Sequence, residues 1–361
     1  MVMQAALRTA SGYVHLALSP SQHAAALALA GERVQVNGAL RPDGFAASRV
    51  SRVAGTRDAA SARSPKVMRI AVVVLHLPGS TAVPASKAAV WQSTFGKKRS
   101  VRSWYSQTSG RQVVVTGTVY GVYAGVRGCD LSAQLAAGAA AAAKHGYVAS
   151  DFDHLVVIEP EQGCGFGGIG WVGSNGVFLN GSATPGVMEH ELGHNLGLWH
   201  AGAYACGAQA VSTGCLAEYG DPTDVMGSPY LGHGYNAEHK HQIGWIPASE
   251  VRTVAAGTTT ITLTASEDPL VARSTELIHV RAADGTIYSI DKRSSIGYDA
   301  GLSGVWIRRL SATSTVDTAL VRERAYTTGS TFTDAVRHVT IKTLTDGASE
   351  AKVRVCVGAC N

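Results

Sequence analysis

The pattern of apolar and polar positions divides the chain into three textures. MRIAVVVLHL (68–77) is an unbroken apolar, β-branched run, the pattern of a strand buried on both faces. A helical stretch follows over about 85–107, and RQVVVTGTVYGV (111–122) predicts a second strand. LSAQLAAGAAAAAKHGY (131–147) is Ala-rich and helical, and HLVVIEP (154–160) is a third buried strand. Strands alternating with helices argue for an α/β (α+β) domain with a mixed twisted sheet. Gly-rich GCGFGGIGWVGSNGVFLNG (163–181) holds short strand candidates near 168–172 and 176–180.

After about residue 250 the period becomes two. TTTITLTA, ELIHVRA, GTIYSIDKR, GVWIRRL, RHVTIKTL and AKVRVCV are short β-rich runs between Gly, Asp and Ser turns, predicting a separate all-β, sandwich-like domain. Before residue 66, GERVQVNGALRPDGFAASRV (31–50) alternates around Asn-Gly and Asp-Gly turn signals and reads as a small β unit. AGTRDAASARSPK (54–66) reads as a linker. The expected organisation is a pro-like segment with linker over 1–65, a catalytic domain over 66–250 and a β-rich domain over 251–361. No internal repeats are evident.

Composition narrows the class. Hydrophobic residues make up 45% and charged residues 16% of the 361, enough apolar material for real cores and too little charge for a disordered chain. The net charge of +5 is scattered. Its densest run, Lys97-Lys98-Arg99 with Arg102, is read as a solvated helix face, and no pairing of basic patch with aromatics argues for nucleic acid. The Ala run at 136–143 is too short and too weakly apolar to span a bilayer. HAAALALA (23–30) is a poor signal peptide, so export would need a signal outside this sequence or another route. Six cysteines and no CxxC suit disulfides in an oxidising compartment. Cys206/Cys215 would close a short loop, Cys356/Cys360 would tie the tail, and Cys129/Cys164 is left as the third pair; sequence alone leaves this connectivity open.

The chemistry concentrates in MEHELGHNLGLWH (188–200). His190 and His194 are one helical turn apart, so both imidazoles can reach one ion at about 2.0–2.1 Å, the usual zinc–nitrogen distance. Glu191 lies about 100° round the helix, placed to reach a water rather than the ion, as a general base must. A third ligand, His200, would lie roughly 15 Å up the axis if the helix continued. The chain must turn back, and Gly197 stands where a left-handed helix exit is needed. The opposing reading is an amphipathic helix with Leu192 and Leu196 inward, which leaves three histidines, Glu191 and Gly197 at ligand spacing as coincidence.

HELGHNLGLWH resembles the zinc signature of the metzincin metallopeptidases, whose methionine turn is matched by Met226 in EYGDPTDVMGS (218–228). Within the metzincins the chain is most similar to the gametolysin-type peptidases. The matching stretches are GIGWVGSNGVFLNG, HELGHNLGLWHA, EYGDPTDVMG and YNAEHKHQIGWI, and SIDKRSSIGYDAGLSGVWIRRL also looks similar. The likeness spans roughly 68–310 and is strongest at the zinc motif. It implies a metzincin-like catalytic fold with an active-site helix, one catalytic Zn2+ on His190, His194 and His200, Glu191 as the base, and a secreted endopeptidase acting on extracellular or cell-wall proteins and glycoproteins. It further implies a substrate cleft with Gly168 and Trp171 on its upper rim and Pro229 and Tyr230 on the wall beyond the scissile bond. Two features depart from the wider group. The position two residues after Met226, where some metzincins carry a tyrosine ligand, is Ser228, with Tyr230 nearest. No cysteine precedes Cys129, which excludes a cysteine switch within this chain; Asp43 could supply a carboxylate instead, although a turn role is preferred.

The remaining candidates have plainer readings. His233, His239 and His241 could form a second metal site, but a solvated helix or loop is preferred. Asp151 and Asp153 could bind calcium, but capping or turn roles are preferred. Asn180-Gly181-Ser182 is a glycosylation sequon. A monomer without a membrane span is expected. The competing functions are a zinc-containing surface-binding or adhesion protein with vestigial peptidase activity, and a zinc amidase.

Overall fold

The computed structural model describes residues 5–9, 12–17, 34–41, 44–52, 65–206, 211–267 and 274–359. The chain divides into two compact units, one of Met1–Arg63 with Pro269–Ala272 and one of Ser64–Asp268 with Arg273–Asn361. It is a mixed α/β protein.

The first unit holds a four-stranded sheet in the order β1-β2-β4-β3, from β1 (Ala5–Thr9), β2 (Gly12–Ala17), β3 (Val34–Arg41) and β4 (Gly44–Arg52). β3 and β4 pair antiparallel as the alternation predicts. Asn37-Gly38 does not turn the chain; it lies inside β3 opposite a bulge in β4, where Ser48 is the extra residue between Ala47 and Arg49. Asp43 and residues 23–30 lie outside the described residues.

The second unit begins with the five-stranded sheet that the apolar runs predict, in the order β6-β5-β7-β9-β8. β5 (Lys66–His76), β6 (Val113–Ala124), β7 (His154–Glu159) and β9 (Gly176–Asn180) are parallel, and β8 (Gly168–Gly170) runs antiparallel along the edge. Alternate residues of β5 serve two cores. Ile70, Val72 and Val74 face α1 (Lys87–Phe95), α2 (Val101–Thr108) and α4 (Pro185–Asn195), whereas Val73 and Leu75 face α3 (Leu131–Ala143). Each such aliphatic side chain contributes about 1.5–3 kcal/mol on burial, so both faces hold the sheet in place. The helical stretch expected over 85–107 is two helices. Gly96 closes α1, and Ser100 opens α2 with a capping box to Ser103. The basic run at 97–99 is therefore an exposed turn, not a helix face.

Beyond α4 the chain enters a seven-stranded sheet ordered β11-β10-β17-β16-β15-β14-β12. Its members are β10 (His200–Tyr204), β11 (Leu216–Ala217), β12 (Val251–Val254), β14 (Leu277–Arg281), β15 (Ile287–Ser294), β16 (Ser303–Thr313) and β17 (Val316–Leu320). A four-stranded sheet of β13 (Gly257–Thr264), β20 (Glu350–Val357), β19 (Val339–Asp346) and β18 (Thr331–Asp334) shares an apolar cluster with it, including Ile278, Ile290, Ile307, Ile341 and Val353. The change of texture at residue 250 does not coincide with a break in hydrogen bonding, because β10 precedes it and pairs with β17, bringing β11 into the same sheet. Buried charges knit the same seam. The guanidinium of Arg308 is fully buried on β16, pairs with Asp221 at 2.8 Å and donates to Thr223 Oγ1 at 2.6 Å. Stripped of water, such a group is tolerated only because its donors are matched.

Two of the three expected disulfides are formed, Cys129–Cys164 and Cys206–Cys215. The third, Cys356 with Cys360, lies outside the described residues because Cys360 does. No helix among the described residues is long and apolar enough to cross a membrane.

Candidate metal centre

Pro185 starts α4 at a position where its missing N–H costs nothing. Thirteen residues on, the helix has ended and reversed. Gly197 adopts φ +100°, Leu198 N–H donates to Gly193 O at 3.1 Å, and Gly197 N–H donates to His194 O at 2.8 Å. This is the Schellman arrangement that the spacing of Gly197 predicts, and it delivers His200 back toward the helix at the first residue of β10.

The three imidazoles meet. One nitrogen of each of His190, His194 and His200 lies within 4.8 Å of the others. The ring centroids are 4.9 Å apart for His190/His194, 5.6 Å for His190/His200 and 5.0 Å for His194/His200. Every ring spends Nδ1 on an outer acceptor: His190 on Val225 O at 2.8 Å, His194 on Leu198 O at 2.8 Å and His200 on Glu218 Oε1 at 2.6 Å. A donating Nδ1–H fixes the tautomer and leaves Nε2 as a bare lone pair turned to the common point. Burial pushes the pKa of His190 down to about 3 and that of His194 down to about 4, and the mutual repulsion of the rings adds to the effect. Both are therefore neutral donors near pH 7. Three imidazoles converging on one point, each with an outer partner in place, fit a zinc-type divalent ion.

Glu191 is 6% exposed and its carboxylate lies against β8. A Cβ on Gly168 would stand 2.8 Å from Glu191 Oε1, and one on Gly170 would stand 2.5 Å from Glu191 O, so only glycine lets the edge strand approach this closely. Burial pushes the pKa of Glu191 up to about 8. Glu189, on the same helix, is pushed to about 8 for the same reason.

Met226 is fully buried beneath the helix. A Cβ on Gly193 would meet Met226 Sδ at 2.5 Å and Tyr235 Oη at 2.8 Å, so the methionine loop presses directly on the turn between His190 and His194. Asp224 holds that loop. It accepts from Met226 N at 2.7 Å, from Asn236 N and from His239 Nδ1 at 2.9 Å, all out of water. Burial alone would raise its pKa, but the charge of His239 and these hydrogen bonds prevail and hold it at about 2.

Of the expected cleft residues, Gly168 lies over Glu191 and Pro229 packs its carbonyl against Gly186 at the start of α4. Tyr230 is 79% exposed, with its hydroxyl 3.7 Å from the point a Cβ on Gly167 would occupy. Trp171 is part-exposed, and its carbonyl accepts from Asn195 Nδ2 at 2.9 Å, which ties β8 to the end of the helix. The sequence pattern carries no signal for Asn195, Glu218, Tyr219, Gly193 or Asp224. Tyr219 packs on the cluster, its ring 4.2 Å from that of His200, whereas the position two residues after Met226 is Ser228. Glu218 and Tyr219 lie in the quoted methionine stretch, but only their contact with His200 distinguishes them.

The plainer candidates separate. His239 pairs with Asp224, His233 Nδ1 donates to Tyr298 O at 2.9 Å and His241 Nδ1 to Ile246 O at 2.8 Å, so they do not form one site. Asp153 is the partner of Arg69 at 3.1 Å, which takes the carboxylate that a calcium reading needs. Asn180 is 1% exposed and donates to Glu161 and Phe166 O, so its amide is not presented as a glycosylation acceptor.

No curated protein matches the chain. A solved structure described as "Structure of a chaperone-substrate complex" is 14% identical with a TM-score of 0.25, covering 49% of this chain and 29% of that one. The chain thus spans less than a third of that protein's length, and the likeness carries no argument about fold. The family model of the gametolysin peptidase M11 matches residues 69–288, from within β5 to the start of β15 and through the whole histidine centre. That match takes in more than half of the sequence, and the chain belongs to the gametolysin (M11) peptidase family.

Proposed function

We propose that the protein is a secreted, zinc-dependent endopeptidase of metzincin type, acting on extracellular or cell-wall proteins and glycoproteins. The observation that carries this reading is the convergence of three imidazoles on one point beside the buried side chain of Glu191. His190, His194 and His200 would hold a zinc ion, which would supply Lewis acidity toward a water and a peptide carbonyl. Glu191 takes the proton from the attacking water and returns it to the leaving amine. Burial raises the proton affinity of this carboxyl group, which favours accepting the proton from water. The outer bonds of the histidines to Val225 O, Leu198 O and Glu218 keep the three rings aimed. Met226 supplies an apolar floor.

Substrate recognition falls to the rim. β8 is an edge strand, so its outer backbone groups, apart from the Gly170 N–H that faces Glu191, can pair with an extended peptide. Trp171 and Ile169 at that edge, with Pro229 and Tyr230 opposite, frame the side chains flanking the scissile bond. Secretion is supported by the two disulfides.

The test is Glu191→Gln. The variant should bind zinc with wild-type stoichiometry and lose casein hydrolysis by about 10²–10⁴-fold. Wild-type hydrolysis by that variant, or an active preparation free of zinc-type metal, overturns the reading.

A further inference from the structure

The helix explains two of the three histidines. What aims the third is a segment more than a hundred residues further along. Between the reversal at Gly197 and His200 only Leu198 and Trp199 intervene, and the backbone N–H groups of the last two residues of this arm both bond to the β16–β17 hairpin. His200 N–H donates to Thr315 O at 3.0 Å, and Trp199 N–H donates to Asp317 Oδ2 at 2.8 Å. The pairing then continues in parallel, His200 opposite Val316 and Ala201 to Ala203 opposite Thr318 to Leu320, with a register shift just after His200. The hairpin is itself rooted: Val316, Thr318, Ala319 and Leu320 are buried, and neighbouring β16 carries Arg308, which reaches Asp221 and Thr223 ahead of Met226. A glycine exit by itself leaves the direction of the following residues undetermined. Here the hairpin determines it.

We infer that the β16–β17 hairpin, through the Asp317 carboxylate and the Thr315 carbonyl, positions His200, so that the C-terminal β region is a working part of the metal centre and not an accessory binding module. The inference rests on the reading of the three histidines as a zinc centre. Asp317 touches neither metal nor substrate; it is a positioning residue that acts through the backbone of Trp199.

Thr315 contributes its main chain, so Asp317 is where the inference can be tested. Asp317 also contributes to the negative charge felt by His239, so the test must separate charge from acceptor. Asp317→Ala removes both; Asp317→Asn removes the charge and keeps an oxygen for the Trp199 N–H. With the full chain, zinc affinity is measured by competition against a chromophoric chelator. The visible spectrum of the Co2+-loaded form and the thermal transition of the metal-free form are recorded alongside. Asp317→Ala should weaken zinc binding by about 10–100-fold and alter the cobalt spectrum, with a metal-free transition like that of the wild type. Its activity at limiting zinc should fall and return when zinc is added in excess. Asp317→Asn should stay within about threefold of the wild type on the same affinity scale. The inference is overturned if Asp317→Ala binds zinc as the wild type does, if Asp317→Asn is as weak as Asp317→Ala, or if metal-free Asp317→Ala loses its cooperative transition. A wild-type chain that binds no zinc fails the zinc reading itself, which distinguishes the two.

Discussion

His190 and His194 stand on one helix, whereas His200 stands on the first residue of a strand, and the two arrangements are secured by different physics. The helix pair needs only 3.6 residues per turn and a continuous backbone ladder. Its outer acceptors are equally near at hand in one case: His194 donates to Leu198 O, four residues on. The strand-borne histidine depends on Thr315, Asp317 and Glu218, none of them in the helix. A local periodicity thus supplies most of the histidine cluster, and tertiary hydrogen bonds complete it.

That contrast can be broken in several ways. The strongest is to compare His194→Ala with His200→Ala. Both should lose bound zinc and nearly all hydrolysis, because a catalytic site of this kind needs three protein ligands. Elemental analysis that finds stoichiometric zinc in His200→Ala would show the helix pair to be sufficient. Next, Gly193→Ala drives a methyl group toward Met226 Sδ, 2.5 Å away, and should destabilise the fold by roughly 1–3 kcal/mol in urea unfolding. No change would mean that the methionine loop moves freely beneath the helix.

The third test uses acid. Asp224 has a folded pKa of about 2 against an ordinary value of 3.8, so its stabilisation is fully present above the ordinary value. As pH falls through the folded value that stabilisation is lost, an effect worth roughly 2 kcal/mol. Unfolding midpoints measured between about pH 5 and pH 2 should fall less steeply for Asp224→Asn than for the wild type; parallel slopes would remove Asp224 as the anchor of the methionine loop. The smallest effect is expected for Glu218→Gln, which keeps an acceptor for His200 Nδ1 and removes the charge. Zinc affinity should drop about tenfold, and an unchanged affinity would mean that the carboxylate adds nothing over a neutral acceptor.

Much of the parallel sheet was legible because a strand covered on both faces must be apolar along its whole length, as MRIAVVVLHL is. The helix break at Gly96 was not, since the apolar spacing runs across it and only the Ser100 capping box shows the restart. Asn37-Gly38 differs from its turn signal for a related reason: the dipeptide fits a turn or a strand position opposite a bulge, and the pairing of β3 with β4 decides between them. Glu218, Tyr219 and Asp224 carried no periodic signal, because each acts on a residue brought near by folding alone.

The sequence by itself determined that His190, Glu191 and His194 share one helix, that Gly197 ends it, and that a third histidine follows the reversal. Those are consequences of backbone geometry and of glycine's access to positive φ, which operate within a few residues. Only the tertiary structure decided where His200 points, which loop supports the rings, and that the strand bearing His200 belongs to the sheet built by the last part of the chain. Strand pairing is satisfied by any backbone of suitable register, so β17 leaves no mark in the residues of β10 that would announce it as the partner.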